Sequence, residues 1–163
     1  MIRLSLAIFF FGLMGLGFML REPLWVIIGG PADQGRVYFE YLSRTGKPND
    51  YLVCPADLCP TKPDAEAPIF NVPAKKLLRA ILDLIPEDIE GEEDFAFRFV
   101  AKTPLMRYPD TISIRILAID QNQSTIAIYS RSLIGYSDMG ANKARVEKLL
   151  SRLQASLASA PLP

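Results

Sequence analysis

The sequence predicts an α+β domain. It is a three-stranded or slightly larger antiparallel meander with two helices packed on one face, preceded by an N-terminal membrane helix and a Pro-rich arm. Three observations predict it. Apolar residues alternate with small or polar ones in three successive segments between residues 95 and 131. A stripe of apolar residues at helical spacing flanks that block on each side. An uncharged apolar run opens the chain.

That run extends from Leu4 to Leu20, after Arg3 and before Arg21-Glu22-Pro23. Seventeen helical residues span about 26 Å, the short end of what crosses a bilayer. Leu24 to Gly30 adds a second apolar stretch, and Trp25 suits the headgroup level. An uncleaved anchor is favoured over a signal peptide, because apolar residues continue past Gly15-Leu16-Gly17 where cleavage would fall. The expected placement is a bacterial inner membrane, with the soluble part facing the periplasm. The two cysteines agree with it. Cys54 and Cys59 are expected to form a disulfide, since nearby cysteines outside the cytoplasm oxidise. A redox-active pair is the alternative, but the two-residue spacing of such pairs is missing.

Four segments follow from composition: an anchor or signal over 1–30, an irregular Pro-rich arm with the disulfide over 31–72, the α+β domain over 73–158, and a disordered tail over 159–163. In the arm, Pro48, Pro55, Pro60, Pro63, Pro68 and Pro73 each remove a backbone donor and bias the preceding residue away from helix. A disordered linker is the alternative there; Tyr38, Phe39 and Tyr41 speak for docking on the core.

Pro73 opens a helix whose Leu77, Leu78, Ile81, Leu82 and Ile85 share a face, and Pro86 ends it. Pro86 to Asp94 is acidic and reads as a solvated loop, because its oxygens lack the spacing of a calcium loop. Phe95, Phe97 and Phe99, then Ile112, Ile114 and Ile116, then Ile126 and Ile128 mark three strands with one buried face. Asp120-Gln121-Asn122-Gln123 is a short hairpin connection. The last helix begins near Asn142, expected as its N-cap, and carries Val146, Leu149, Leu150, Leu153 and Leu157 on one face.

Composition excludes several functions. There is no histidine, so Ser-His-Asp and Cys-His catalysis and His-ligated metals are absent. Two cysteines cannot complete a four-ligand zinc site. Eighteen basic residues balance eighteen acidic ones at a pI near 6.3, which gives no basic stripe for nucleic acid. No cofactor, metal site or catalytic residue is expected.

Two features hold polar groups in excess. Arg98, Arg115 and Arg131 fall one per strand, opposite the apolar face and among small neighbours such as Ser113 and Ala127. Guanidinium forks in such a row suit a carboxylate or phosphate, unless each merely keeps a solvent face polar. The stretch Ser130 to Leu150, SRSLIGYSDMGANKARVEKLL, links the last strand to the last helix. Its Arg131, Tyr136, Ser137, Asp138 and Arg145 exceed what a turn requires, Asn142 being accounted for as the cap. Ser137 beside Asp138 has no histidine or lysine in the motif to activate it and no nucleophile elbow around it.

This stretch resembles the C-terminal signature of the domain of unknown function 1499 family. The matching residues are Ser130, Arg131, Gly135, Tyr136, Ser137, Asp138, Gly140, Asn142, Arg145, Val146 and Glu147. Pro48-Asn49 and Cys54 are similar to the family's start, although Pro-Asn here precedes the cysteine by several residues. Arg107-Tyr108-Pro109-Asp110 is similar to its loop between strands. The resemblance, over roughly Pro48 to Leu153, implies an envelope or membrane-associated protein and supplies no reaction.

The resulting expectation is a non-catalytic, membrane-anchored binding or scaffold module. Its contact surface would be Arg98, Arg115 and Arg131 with the loop Gly135–Asn142, and its ligand an anionic small molecule, a lipid headgroup or an acidic protein partner. One alternative is an envelope enzyme, a hydrolase or lipid-modifying activity using Asp138, Tyr136 and Arg131. The other is a purely structural protein in which the motif locks strand to helix.

Overall fold

The computed structural model describes residues 2–93 and 95–159. Two helices open the chain, α1 (Ile2–Met19) and α2 (Arg21–Gly29). A 3-10 turn, Phe39–Tyr41, interrupts the arm. Then follow β1 (Asp50–Cys54), β2 (Ala65–Glu66), β3 (Ile69–Phe70), α3 (Ala74–Leu82), β4 (Ile89–Glu93), β5 (Ala96–Lys102), β6 (Pro109–Ala118), β7 (Ser124–Ser132) and α4 (Ala141–Ser159).

The architecture is α+β with a mixed seven-stranded sheet, larger than the expected meander. The order is β2-β1-β7-β6-β5-β4, and β3 also pairs with β7. The β5–β6–β7 meander forms the centre, with Ile112 opposite Phe99 on one side and Ser130 on the other. The additional strands come from segments read as irregular. Pro-free Asp50–Cys54 pairs antiparallel with the far half of β7, and β3 takes its near half. The acidic stretch before Phe95 contributes β4, which pairs with β5 through a register shift between Glu90 and Glu93. Its charges sit on an edge strand, where they discourage a further strand from adding. Of the tail expected over 159–163, Ser159 belongs to α4, and 160–163 lie outside the described residues.

One face of the sheet packs on α3 and α4. Leu77 and Ile81 of α3, and Val146 and Leu153 of α4, meet Phe97, Phe99, Ile112, Ile114, Ile126 and Ile128. Fully burying each such side chain contributes about 1.5–3 kcal/mol. The other face is also covered. Phe39 and Leu42 of the arm pack on Leu52, Cys54, Ala127 and Tyr129. The Cys54–Cys59 disulfide is formed and lies at this second layer.

Among the described residues no single helix is long and apolar enough to cross a membrane. Phe9–Met19 and Arg21–Gly29 meet that requirement only as a pair, bent by 62°. The side chains of Phe9 to Leu20 are all exposed. In contrast, α2 is fastened to the domain: Trp25 Nε1 donates to the Met106 carbonyl at 2.6 Å and its ring lies 4.5 Å from Tyr108. Glu22 pairs with Lys102 at 2.6 Å and Arg107 at 2.7 Å.

Candidate functional site

The three arginines do share the face expected of them. Arg98 lies opposite Ser113, Ser113 opposite Tyr129, and Arg115 opposite Ala127. They do not form an open anion surface, because the arm of the same chain lies over them. Asp33 accepts from Arg98 Nε at 2.9 and 2.8 Å through its two oxygens. Glu40 pairs with Arg115. Arg131 Nη2 donates to the Gln34 carbonyl at 2.8 Å, while the Thr111 hydroxyl donates to Ala32 and accepts from the Gln34 N–H. The Arg98 guanidinium holds the Asp33 carboxyl below the usual range. The anion that the row calls for is thus supplied internally.

A second cluster closes the arm. Asp50 accepts from Arg44 at 2.5 Å and from the Tyr129 hydroxyl at 2.6 Å, and Arg44 also pairs with Asp64 at 2.9 Å. Burial, followed by the Asp50 carboxylate, raises the Tyr129 phenol well above its ordinary range.

The connection from β7 to α4 resolves into distinct jobs. Asp138 is the helix cap: Oδ1 accepts from Gly140 N–H at 2.9 Å and Oδ2 from Asn142 N–H at 2.7 Å. Both oxygens serve backbone donors at the positive end of α4. Gly140, at φ 83°, makes the tight entry possible. Asn142 is not the cap expected of it. It stands one residue inside α4, and its fully buried side chain turns to the sheet. Its Nδ2 donates to the Asn49 carbonyl and Ser132 Oγ, both at 3.0 Å, while its Oδ1 accepts from Ser130 at 2.5 Å and Arg145 at 2.8 Å. Asn49 in turn donates to the Gly135 carbonyl at 2.8 Å.

Arg145 continues this chain to Asp110, at 2.5 Å. Asp110 is 1% exposed and its Oδ1 has no hydrogen-bond partner among the described residues. Burial raises its carboxyl above the ordinary range, opposed by the Arg145 charge and the nearby Ser132 hydroxyl. Tyr136, at 73% exposure, and Ser137 stand outside the network on the loop surface. The enzyme set Asp138, Tyr136 and Arg131 is therefore divided: a cap, an exposed ring and a guanidinium beneath the arm.

Beside Asp110 lies an open groove of about 620 Å³. Three elements form it: α2 through Trp25, the β5–β6 connection from Thr103 to Tyr108, and the loop Ile134–Ala141. The Thr103 hydroxyl accepts from Tyr108 N–H at 3.0 Å and its carbonyl from Arg107 N–H at 3.1 Å, which folds that connection tightly. Arg107 there adopts φ 58°. The walls are largely apolar; Leu105, Met106 and Met139 expose their side chains at the rim. Sequence reasoning named the loop but missed the groove. Asp110 carried one readable signal, its place in the Arg107–Asp110 stretch that resembles the family's loop; Trp25 and Asn49 were noted as an interface residue and as part of the family's start, with nothing in the sequence to bring them to this site.

A family model described as a protein of unknown function, DUF1499, matches residues 48–153. The chain belongs to the DUF1499 family. The match covers every strand of the sheet, α3 and most of α4. Within the DUF1499 region, Asn49 near its start is hydrogen-bonded to Gly135 and Asn142 near its end, so the signature closes the domain on itself. Trp25 and the arm before Pro48 lie outside the matched span, yet both contribute to the surfaces described above. No curated protein matches the chain.

Proposed function

We propose that this DUF1499 protein is a membrane-anchored, extracytoplasmic binding module whose ligand is an apolar or amphiphilic molecule held in the groove between α2 and the domain. The observation that carries this reading is the groove itself. Its volume falls within the roughly 300–1,000 Å³ of small-molecule sites, with mostly apolar walls and few polar groups. Its place against α2 supports a ligand drawn from a bilayer, since the exposed apolar stretch Phe9–Leu20 runs directly into that helix. In the bilayer reading, α1 is the anchor and α2, bent away by 62°, clips the domain to the membrane surface.

The reading moves the binding surface away from the arginine row. A rim of Leu105, Met106 and Met139 suits acyl chains, whereas the arginines are already engaged by Asp33, Glu40 and the Gln34 carbonyl.

Photolabelling tests it. The full chain is expressed in a bacterial inner membrane and exposed to a lipid bearing a diazirine on its acyl chain. Label is expected on α1 and on peptides containing Met106 and Met139. Label on α1 alone would remove the groove from the reading, and label on neither would remove the membrane as well. The disulfide tests the compartment: Cys54 and Cys59 resist alkylation in intact cells if the domain lies outside the cytoplasm.

A further inference from the structure

Four large apolar side chains stand exposed on the two loops around α2. Leu105 and Met106 belong to the β5–β6 connection, Tyr136 and Met139 to the connection from β7 to α4. Leu105 is 68% exposed and Met139 98%. Met139 also adopts φ 54°, backbone that glycine and asparagine favour. A side chain so exposed gains no packing inside the protein to offset that conformation. Apolar residues exposed singly are ordinary, but a group of them at one end of a domain marks a contact surface.

The path of the chain decides what that end faces. One residue, Leu20, separates α1 from α2. α2 is in turn fastened to the β5–β6 connection and its ends: Trp25 to the Met106 carbonyl and the Tyr108 ring, and Glu22 to Lys102 and Arg107. Its last residue, Gly29, leaves no room for a side chain against Leu133 and Ile134, which ties α2 to the second loop as well. No linker therefore lets the domain stand away from the end of α1. α2 turns 62° from the direction of Phe9–Met19, so where α1 follows the bilayer normal, α2 lies nearer the membrane plane and runs along it for about 14 Å.

We propose that Leu105, Met106 and Met139 form a second membrane contact, inserting into the boundary between headgroups and acyl chains so that this end of the sheet rests on the bilayer. The inference rests on α1 being seated in the bilayer. It leaves the occupant of the groove open. The bilayer is the occupant that the chain supplies, because a surface held at the end of a membrane helix by a one-residue joint meets lipid before any soluble partner. Shallow insertion by side chains at loop tips buries apolar area while the backbone polar groups stay in the hydrated interface. Tyr136, on the same loop as Met139, suits the headgroup level. The opposite end of the sheet is placed differently. Ile119, beyond the far end of β6, is also exposed, but the ten residues of β6 set it about 33 Å from the Leu105 turn.

The disulfide occupies both native cysteines, so an introduced one carries a probe alone. The full chain bearing Phe11→Cys, Leu105→Cys, Met139→Cys or Ile119→Cys, each an exposed position, is labelled with the fluorophore NBD. Each sample is placed in nanodiscs of phosphatidylcholine and phosphatidylglycerol, with and without phosphatidylcholine carrying a doxyl quencher near its glycerol end. Quenching at Leu105 and Met139 is expected to exceed that at Ile119 by about twofold or more, since interfacial insertion reaches about 5–10 Å into the headgroup and acyl boundary. Leu105 and Met139 as unquenched as Ile119, with Phe11 quenched, would overturn the docking and leave α1 as the anchor and the groove to its own photolabelling test. An unquenched Phe11 would overturn the anchor and the docking together. Blue-shifted emission at Leu105 without doxyl quenching would show protein covering the turn, and would overturn the bilayer as its partner.

Discussion

Asn142 and Asp138 are four residues apart and do different physical work. Asp138 satisfies two backbone donors at a solvent-facing helix end, where removing a cap costs about 0.5–2 kcal/mol. Asn142 is fully buried and joins α4 to β7 and to Asn49. Its removal takes one hydrogen bond each from Ser130, Ser132, Arg145 and the Asn49 carbonyl, at about 0.5–1.5 kcal/mol apiece. Asn142→Ala is therefore expected to destabilise the protein clearly more than Asp138→Ala, measured by denaturant unfolding with equal m-values. The reverse order would show that the cap, not the buried amide, holds the helix in place.

The arm is an element held by charge as well as by packing. Asp33 and Glu40 both have lowered pKa values; the Arg98 hydrogen bond is the main cause for Asp33, and for Glu40 its own backbone N–H followed by Arg115. A carboxyl whose folded pKa is depressed stabilises the docked state above its ordinary pKa, 3.8 for Asp33 and 4.5 for Glu40. That contribution fades as the pH falls below those values toward the folded ones. Asp110 has the opposite sign, since its raised pKa means that protonation in acid relieves a buried charge. Loss of arm docking is therefore expected to precede loss of the sheet in acid. Pepsin should cut within residues 31–45 first as the pH drops to about 3, with β5–β7 still protected against amide exchange. Simultaneous loss of both would show that the arm and the sheet unfold as one unit.

At the scale of the whole molecule, the sheet is the middle of three layers. α3 and α4 cover one face, and the arm covers the other with Phe39 at 1% exposure. Phe39→Ala is expected to cost about 3–5 kcal/mol, as for a core aromatic, though the residue lies outside any long helix or strand. Thermal unfolding of the variant checks this. A shift no larger than that of a surface substitution would make the arm a loosely laid strap rather than a layer.

The β5–β6–β7 meander and the two covering helices were legible because their periodicity is local: Phe97, Phe99 and the isoleucines of β6 and β7 alternate within each strand. Strands β1, β2 and β3 were not, because they are short, set among prolines, and owe their pairing to β7 and to one another rather than to any pattern of their own. In the candidate site, the residues of the Gly135–Asn142 loop were legible, but the cap expected of Asn142 is supplied by Asp138. Which of two neighbouring polar side chains turns to the helix and which to the sheet depends on the face that Val146 and Leu153 commit to the core.

By itself the sequence determined the apolar opening run, the α+β class, the bridged cysteines and the DUF1499 signature, all of which reside in residue types and short spacings. Only the tertiary structure decided what the charges do. The same Arg98, Arg115 and Arg131 are a ligand site if left open and a fastening if covered, and the covering residues Asp33, Gln34 and Glu40 lie more than sixty positions away in the chain. Charge pairing over that separation follows from the path of the arm, just as the groove at Asp110 follows from the return of α2 onto the domain.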